Sequence, residues 1–178
     1  IVRGLSGVVL EIGFGSGLNV PYYPSEVTKV LAVDPSALGR KLAEKRVAKI
    51  PVEIEWCGLD GESLELPDAS VDAVLSTFTL CTIPDVETAL GELRRVLKPN
   101  GVFHFLEHGR SPDAGVARWQ DRLNPFQRYV AGGCNLNRPM ADLVRNAGFC
   151  LDALDNRYLP GPKPATYIYE ARARNCGC

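Results

Sequence analysis

A carboxylate set in an apolar run and followed by alternating glycines carries chemical information. The stretch V-V-L-E-I-G-F-G-S-G (Val8 to Gly17) puts Glu11 two residues before Gly13, with Gly15 and Gly17 beyond. A buried charge is costly unless it is paired, so Glu11 implies a ligand bearing a positive group. The glycines permit φ > 0 and let a ligand approach the backbone, as in the first βα turn of a doubly wound sheet. Without a ligand, the same pattern reads as a glycine turn with Glu11 capping its backbone. A second carboxylate, Asp34, lies about twenty positions past the first glycine, where such a fold hydrogen-bonds a ribose diol. Asp34-Pro35-Ser36 also has the chemistry of a helix cap, and the two roles are compatible. Asp60 and Glu62 follow in C-G-L-D-G-E, with Asp60 suited to accept a hydrogen bond from an adenine amino group. A dinucleotide fingerprint would need glycine at position 18, where Leu18 stands.

The sequence has two histidines, His104 and His108. His108 stands where a strand should give way to a substrate-facing loop. It is a candidate catalytic group, as proton acceptor or orienting residue, unless it is simply hydrogen-bonded into that loop. The six cysteines show no C-x-x-C spacing, so reduced thiols in a cytoplasmic setting are expected. Cys81 and Cys134 have no activating partner legible in the sequence and read as small buried hydrophobes. Cys176-Gly177-Cys178 offers two ligands on a free tail, too few for a structural zinc, and no metal site is expected. Trp119 and Tyr129 fit either an acceptor pocket or the packed face of a helix.

Alternating strands and helices must position these groups. Strands are expected at Val8 onward, Lys29 to Val33, Val52 to Trp56, Val71 to Ser76 and Val102 to Leu106, with closing strands at Cys150 to Leu154 and Ala165 to Ala173. Prolines restrict Leu18 to Pro24 to a short helical turn. Helices are expected from the Asp34 cap through Lys49, over Val86 to Leu97, and over Arg138 to Ala147. Lys98-Pro99-Asn100-Gly101 reads as a turn. Ser111 to Val130 reads as a polar helix broken near Pro125, lying over the ligand edge. Parallel βαβ units deliver Asp34, Asp60 and Glu62 to one edge of the sheet. The expected fold is α/β, a doubly wound, mostly parallel seven-stranded sheet with helices on both faces.

With 178 residues, 46% hydrophobic and 23% charged, the chain has the make-up of one ordinary globular domain. Its net charge of -1 gives no electrostatic case for nucleic acid or an anionic membrane. No apolar run is long enough to span a membrane, and no signal peptide is evident. The chain begins at Ile1, seven residues before the first strand, and looks like a fragment or a processed form.

Together, E-I-G-F-G-S-G, A-V-D-P-S, L-D-G-E-S-L-E-L-P-D-A-S-V-D and L-R-R-V-L-K-P-N-G resemble class I methyltransferases of the ubiquinone and menaquinone biosynthesis type, over roughly Val8 to His108. T-L-C-T-I, F-L-E-H and G-G-C-N-L-N-R look closer to the methyltransferase-like alkyl thiol methyltransferases. The resemblance implies a Rossmann-like fold and S-adenosylmethionine as methyl donor. It places Glu11, Gly13, Gly15 and Gly17 at the methionyl group, Asp34 with Pro35 at the ribose, and Asp60, Gly61 and Glu62 around the adenine. Thr77 and Thr79 would contact the methionyl end. Phe14 departs from the small residue usual at its position, and its side chain is expected to point away from the donor. The helices that such enzymes carry before the first strand have no counterpart here, so the acceptor side is expected to be open. The implied activity is methyl transfer to a small, apolar acceptor, a thiol ahead of a quinone, phenol or lipid amine. A donor-binding scaffold without catalysis and an NAD(P)-dependent oxidoreductase are the alternatives, the latter disfavoured by Glu11 and Leu18.

Overall fold

The computed structural model describes residues 1–176. β1 (Gly7–Ile12) leads through the glycine loop and a 3-10 turn at Val20–Tyr22 to β2 (Val27–Val33), α1 (Ala37–Val47) and β3 (Glu53–Gly58). The chain continues through β4 (Val71–Thr77), α2 (Val86–Val96), β5 (Leu97–His108), α3 (Ala114–Val130) and α4 (Met140–Asn146). β6 (Phe149–Tyr158), the single turn α5 (Lys163–Thr166) and β7 (Tyr167–Asn175) complete it. The sheet order is β3-β2-β1-β4-β5-β7-β6, with β7 antiparallel to both neighbours and the other pairs parallel. The seven-stranded, mostly parallel Rossmann-like sheet inferred from the sequence is therefore present.

Alternating side chains divide the core between the two faces of this sheet. Leu10, Ile12, Leu31, Val33 and Val74 meet Leu90 and Leu93 of α2 and Met140 and Val144 of α4 on one face. Val9, Val30, Ala32, Ala73 and Leu75 meet Ala43 of α1, Val20 and Leu5 on the other. Phe14 belongs to this second cluster and packs edge-on against Trp56, with ring centroids 5.1 Å apart. Its ring also lies against Gly17, 3.3 Å from where a Cβ on that residue would be. The strand order reverses between β1 and β4, and the pairing Ile12↔Ser76 brings their exit loops side by side. Crevices at such reversals are where open α/β sheets bind ligands.

Three local expectations are corrected. α3 runs unbroken through Pro125, because the flanking Leu123 and Phe126 are exposed and water can satisfy the carbonyl that loses its partner. Lys98 to Gly101 is not a free turn but an insertion within β5: Val71 pairs with Leu97 and Ala73 with Val102, and Asn100 takes φ 64° to absorb the extra residues. The six cysteines are not all thiols, since Cys150 and Cys176 form a disulfide with Cα atoms 5.7 Å apart. Antiparallel β6 and β7 bring these distant positions close, with Cys150 opposite Arg174 and Cys176 just past the end of β7, which no sequence spacing displays. Of the Cys176-Gly177-Cys178 tail considered as a ligand pair, residues 177 and 178 lie outside the described residues.

Candidate active site

The glycine loop owes its shape to what surrounds it. Gly13, Gly15 and Gly17 all have positive φ, at 71°, 53° and 71°. A Cβ on Gly13 would fall inside the Thr79 hydroxyl, so glycine is needed there for both conformation and space. Behind the loop, the α1 backbone comes so close that a Cβ on Gly39 would lie 3.1 Å from the Gly15 carbonyl. Arg46 of α1 donates to the Ser16 carbonyl at 2.8 Å.

Glu11 is 1% exposed, and its partners come from the proline-rich stretch that follows the loop. Asn19 Nδ2 donates to Oε1 at 2.8 Å and also to Thr77 Oγ1 at 3.0 Å, while the Tyr23 hydroxyl donates to Oε2. Burial pushes the Glu11 carboxyl up to about 8, with the Asp34 charge adding to the rise and the Asn19 hydrogen bond opposing it. A carboxyl poised near neutrality beneath a ligand loop is suited to ionise when a cation arrives. Asn19 and Tyr23 were not foreseen as site residues. Their signal was a pair of hydrogen-bonding side chains eight and twelve residues after a buried carboxylate, in a segment too short to carry them far away.

Asp34 sits at the end of β2 and is 9% exposed. Its Oδ2 accepts from Gly15 N–H and its Oδ1 from Ser36 N–H, both at 2.7 Å. Ser36, rather than Asp34, caps α1, accepting from Gly39 N–H at 2.9 Å. Asp60 Oδ1 accepts from Glu62 N–H, and Glu62 Oε1 accepts from the N–H of Asp85, the α2 cap.

A cavity of about 390 Å³ opens at the reversal, and Gly13, Pro35, Asp60, Gly61, Glu62 and Thr79 all line it. Gly132 and Gly133, from the loop after α3, border it on another side. Asp34 and Pro35 border an adjoining cavity of about 340 Å³, where the Arg40 guanidinium lies 4.7 Å from the Trp56 ring centre. Both volumes fall in the range of small-ligand sites. Glu11, Gly15, Gly17 and Thr77 line neither cavity. Trp119 is 54% and Tyr129 89% exposed, so neither is a core residue. Trp119 faces a separate open depression of about 780 Å³ with Arg122 and Lys163, which shares no residue with the glycine loop.

The exit of β4 is fixed by a residue the sequence analysis did not single out for a role. Glu107 is fully buried at the end of β5. Its Oε1 accepts from Ser76 Oγ at 2.7 Å and from Thr79 and Leu80 N–H at 3.0 Å, and its Oε2 accepts from Cys81 N–H at 3.1 Å. Burial raises its pKa, and these four donors oppose the rise. Three successive amides thus converge on one carboxylate, which holds Thr79 against Gly13.

This anchored turn also corrects the view that Cys81 and Cys134 lack partners. Their sulfurs are 3.5 Å apart, and His108 Nδ1 lies 3.5 Å from Cys134 Sγ and 4.0 Å from Cys81 Sγ. The hydrogen bond between the two sulfurs and the neighbouring His108 hold the Cys134 thiol below its usual range, while that bond and burial push Cys81 up. The His108 ring also packs against Phe78, with centroids 4.8 Å apart. The three residues are contributed by the β4 exit, the β5 end and the loop after α3, so only the fold reveals their meeting. His104, in contrast, is buried with its Nδ1 donating to the Ile1 carbonyl at 2.8 Å, away from this cluster.

Comparison with known proteins agrees with this architecture. Residues 10–105 match the family model described as a methyltransferase domain. Thiol S-methyltransferase TMT1B of Rattus norvegicus is 34% identical over 155 residues, covering 83% of this chain and 63% of the relative. Ubiquinone/menaquinone biosynthesis C-methyltransferase UbiE of Caulobacter vibrioides is 42% identical over 69 residues, 39% of this chain and 27% of the relative. This chain thus spans less than two thirds of the length of these relatives. A putative methyltransferase structure from Bacillus halodurans superposes with a TM-score of 0.74 at 15% identity, covering 94% of this chain and 92% of that one, a likeness of fold. The glycine loop, the strand order and the match across residues 10–105 together mean that the chain belongs to the class I S-adenosylmethionine-dependent methyltransferase family.

Proposed function

We propose that this chain transfers a methyl group from S-adenosylmethionine to a small apolar acceptor, a thiol in preference to a quinone, phenol or lipid amine. One observation carries the donor assignment: a buried carboxyl beneath a positive-φ glycine loop whose first glycine, Gly13, lines a cavity at the sheet reversal. The donor set fits the cofactor. Gly13 and Thr79, packed against each other, both line the larger cavity, and the two adjoining cavities suit an elongated molecule. When bound, the donor supplies a methyl carbon already activated by its sulfonium, so the protein's task is alignment and exclusion of water.

In this reading Glu11, Gly13, Gly15 and Gly17 hold the cationic methionyl end together with Thr77 and Thr79. Asp34 keeps its two backbone donors and uses its remaining lone pairs for ribose hydroxyls, with Pro35 beside them. Asp60, Gly61 and Glu62 surround the adenine. His108 stands on the acceptor side as the group that orients the acceptor or receives its proton. The thiol preference is drawn from the relative named a thiol S-methyltransferase. A small-molecule acceptor rather than nucleic acid accords with the net charge of -1. Among the described residues no helix is long and apolar enough to cross a membrane, and we assign the reaction to the cytoplasm on the thiols of Cys57, Cys81 and Cys134, an assignment against which the Cys150–Cys176 disulfide counts.

The test is turnover with a panel of thiol, phenol, quinone and amine acceptors, alongside thermal shift with S-adenosylmethionine, S-adenosylhomocysteine, NAD and NADP. Stabilisation by the first two ligands and methylation of thiols is the expected result. Donor binding without transfer to any acceptor would leave a scaffold, and stabilisation by NAD or NADP alone would overturn the donor assignment.

A further inference from the structure

The separations within Cys81, His108 and Cys134 match the edges of a metal coordination polyhedron. Zinc bonds of about 2.3 Å to sulfur and about 2.0 Å to nitrogen at tetrahedral angles put two sulfurs about 3.7 Å apart and sulfur and nitrogen about 3.5 Å apart. The observed distances are 3.5 Å between sulfurs, and 3.5 and 4.0 Å from sulfur to Nδ1. The three ligand atoms lie within 4.8 Å of one another, the closeness one shared ion requires. Two thiolates and an imidazole are a soft set that selects zinc over magnesium or calcium.

The surroundings are organised for such a site. Glu107 fixes the Cys81 backbone, and Asn135 Nδ2 ties the Cys134 loop to the Cys81 carbonyl at 3.0 Å. Arg138 donates to the Leu80 and Pro84 carbonyls, which sets a cation near two sulfurs that must be anionic to ligate. Thr82 and Gly133, each one residue from a cysteine of the cluster, line the 390 Å³ cavity. Among the described residues the cluster has three ligands, and three protein ligands with an open fourth position are the mark of catalytic rather than structural zinc.

We propose that Cys81, His108 and Cys134 bind a zinc ion whose open fourth position takes the acceptor thiol as a thiolate. The second half of this rests on the thiol reading above. On coordination the acceptor S–H loses its proton to solvent. A sulfur lone pair then forms the bond to the methyl carbon while the bond from that carbon to the donor sulfonium breaks and returns its electron pair to the departing thioether. The methylated acceptor, now a neutral thioether and a weaker ligand than a thiolate, leaves the ion. Coordination thereby ionises the acceptor, and His108 serves as a ligand rather than as the proton acceptor.

Cobalt(II) is the probe, added to chain that has been treated with chelator and a phosphine reductant. Expected are one equivalent bound with thiolate-to-cobalt charge-transfer absorption and tetrahedral d–d bands, and a shift of those bands when a small alkyl thiol is added. Cys134→Ser and His108→Gln should each weaken cobalt binding at least tenfold while keeping the far-ultraviolet circular dichroism of the parent, and Cys57→Ser should bind as the parent does. Folded, reduced chain without the charge-transfer band, or a band that persists in both variants, would overturn the site. Bands unmoved by thiol would overturn the open position. Cobalt and thiol binding without methyl transfer would support this site and count against the proposed reaction. Thiol methylation undiminished in metal-free chain would do the reverse.

Discussion

At the scale of single residues, Glu11 governs the pH dependence expected of the chain. Its folded-state pKa of about 8 lies above the ordinary 4.5, so between those values the folded chain holds a proton that the unfolded chain has released. This group's contribution to stability therefore falls as pH rises from about 4.5 to about 8 and is level above that. A cationic donor favours the ionised form, so binding near pH 7 should release a proton. Titration calorimetry in buffers of different ionisation enthalpy should detect that release in the parent and not in Glu11→Gln. Glu11→Gln should also lose more affinity for S-adenosylmethionine than for methylthioadenosine, and equal losses would confine Glu11 to loop support. Asp34→Ala should weaken S-adenosylhomocysteine binding by about 1.5–3 kcal/mol, the range for hydrogen bonds to a charged acceptor. The sequence alone would make Asp34→Asn milder. With both oxygens already accepting backbone N–H groups, however, an amide must turn its NH₂ toward one of them, and the loss should approach that of alanine. Unchanged affinity in either variant would remove Asp34 from the ribose site. The carboxylates were legible because an acidic residue in an apolar strand is conspicuous. Asn19 and Tyr23 were not, since ordinary polar residues gain meaning only from what they face.

At the scale of elements, Glu107 makes a stability prediction. Glu107→Ala leaves three buried N–H groups without acceptors and should cost about 3 kcal/mol or more, taking about 1–3 kcal/mol for each unsatisfied group. Glu107→Gln keeps one oxygen for Ser76, Thr79 and Leu80 and turns its NH₂ toward Cys81 N–H, so about 1–3 kcal/mol is expected. Urea unfolding measures both, and parent-like stability in Glu107→Ala would show that water replaces the carboxylate. The strands and helices up to β5 were readable because period-two and helical patterns are local, and Gly, Pro and Asp mark their ends. Glu107 was quoted only within F-L-E-H, next to the more visible His108, because its partners lie more than twenty residues earlier. The continuity of α3 through Pro125 and the insertion in β5 were hidden for a similar reason, since tertiary surroundings decide whether a proline or a turn sequence interrupts an element.

At the scale of the whole molecule, the ligand cavity and the disulfide occupy opposite edges of the sheet. Cys150 pairs with Arg174, which lies across from Val102 near the start of β5, whereas His108 ends that strand. The bond closes a sequence separation of 26, worth about 3.5 kcal/mol in the chain-entropy account. Reduction should therefore lower the unfolding free energy by up to that amount while donor affinity, measured calorimetrically, stays unchanged. A fall in affinity would show that the two edges communicate. The convergence of Thr79, Leu80 and Cys81 amides on Glu107 has a further consequence at this scale. A segment held by one buried acceptor opens only as a unit, so these three amides should exchange their hydrogens slowly and at a common rate. The β4 side of the cavity then behaves as a fixed wall. Gly132, by contrast, has nothing within 4 Å of where its Cβ would be, and Gly133 beside it takes φ 90°. The Gly133 N–H is held by the Arg128 carbonyl at 2.9 Å, so entry and exit are left to Gly132, whose amide should exchange fastest of the cavity rim, and the dwell time of product should follow its opening rather than any motion of the donor loop.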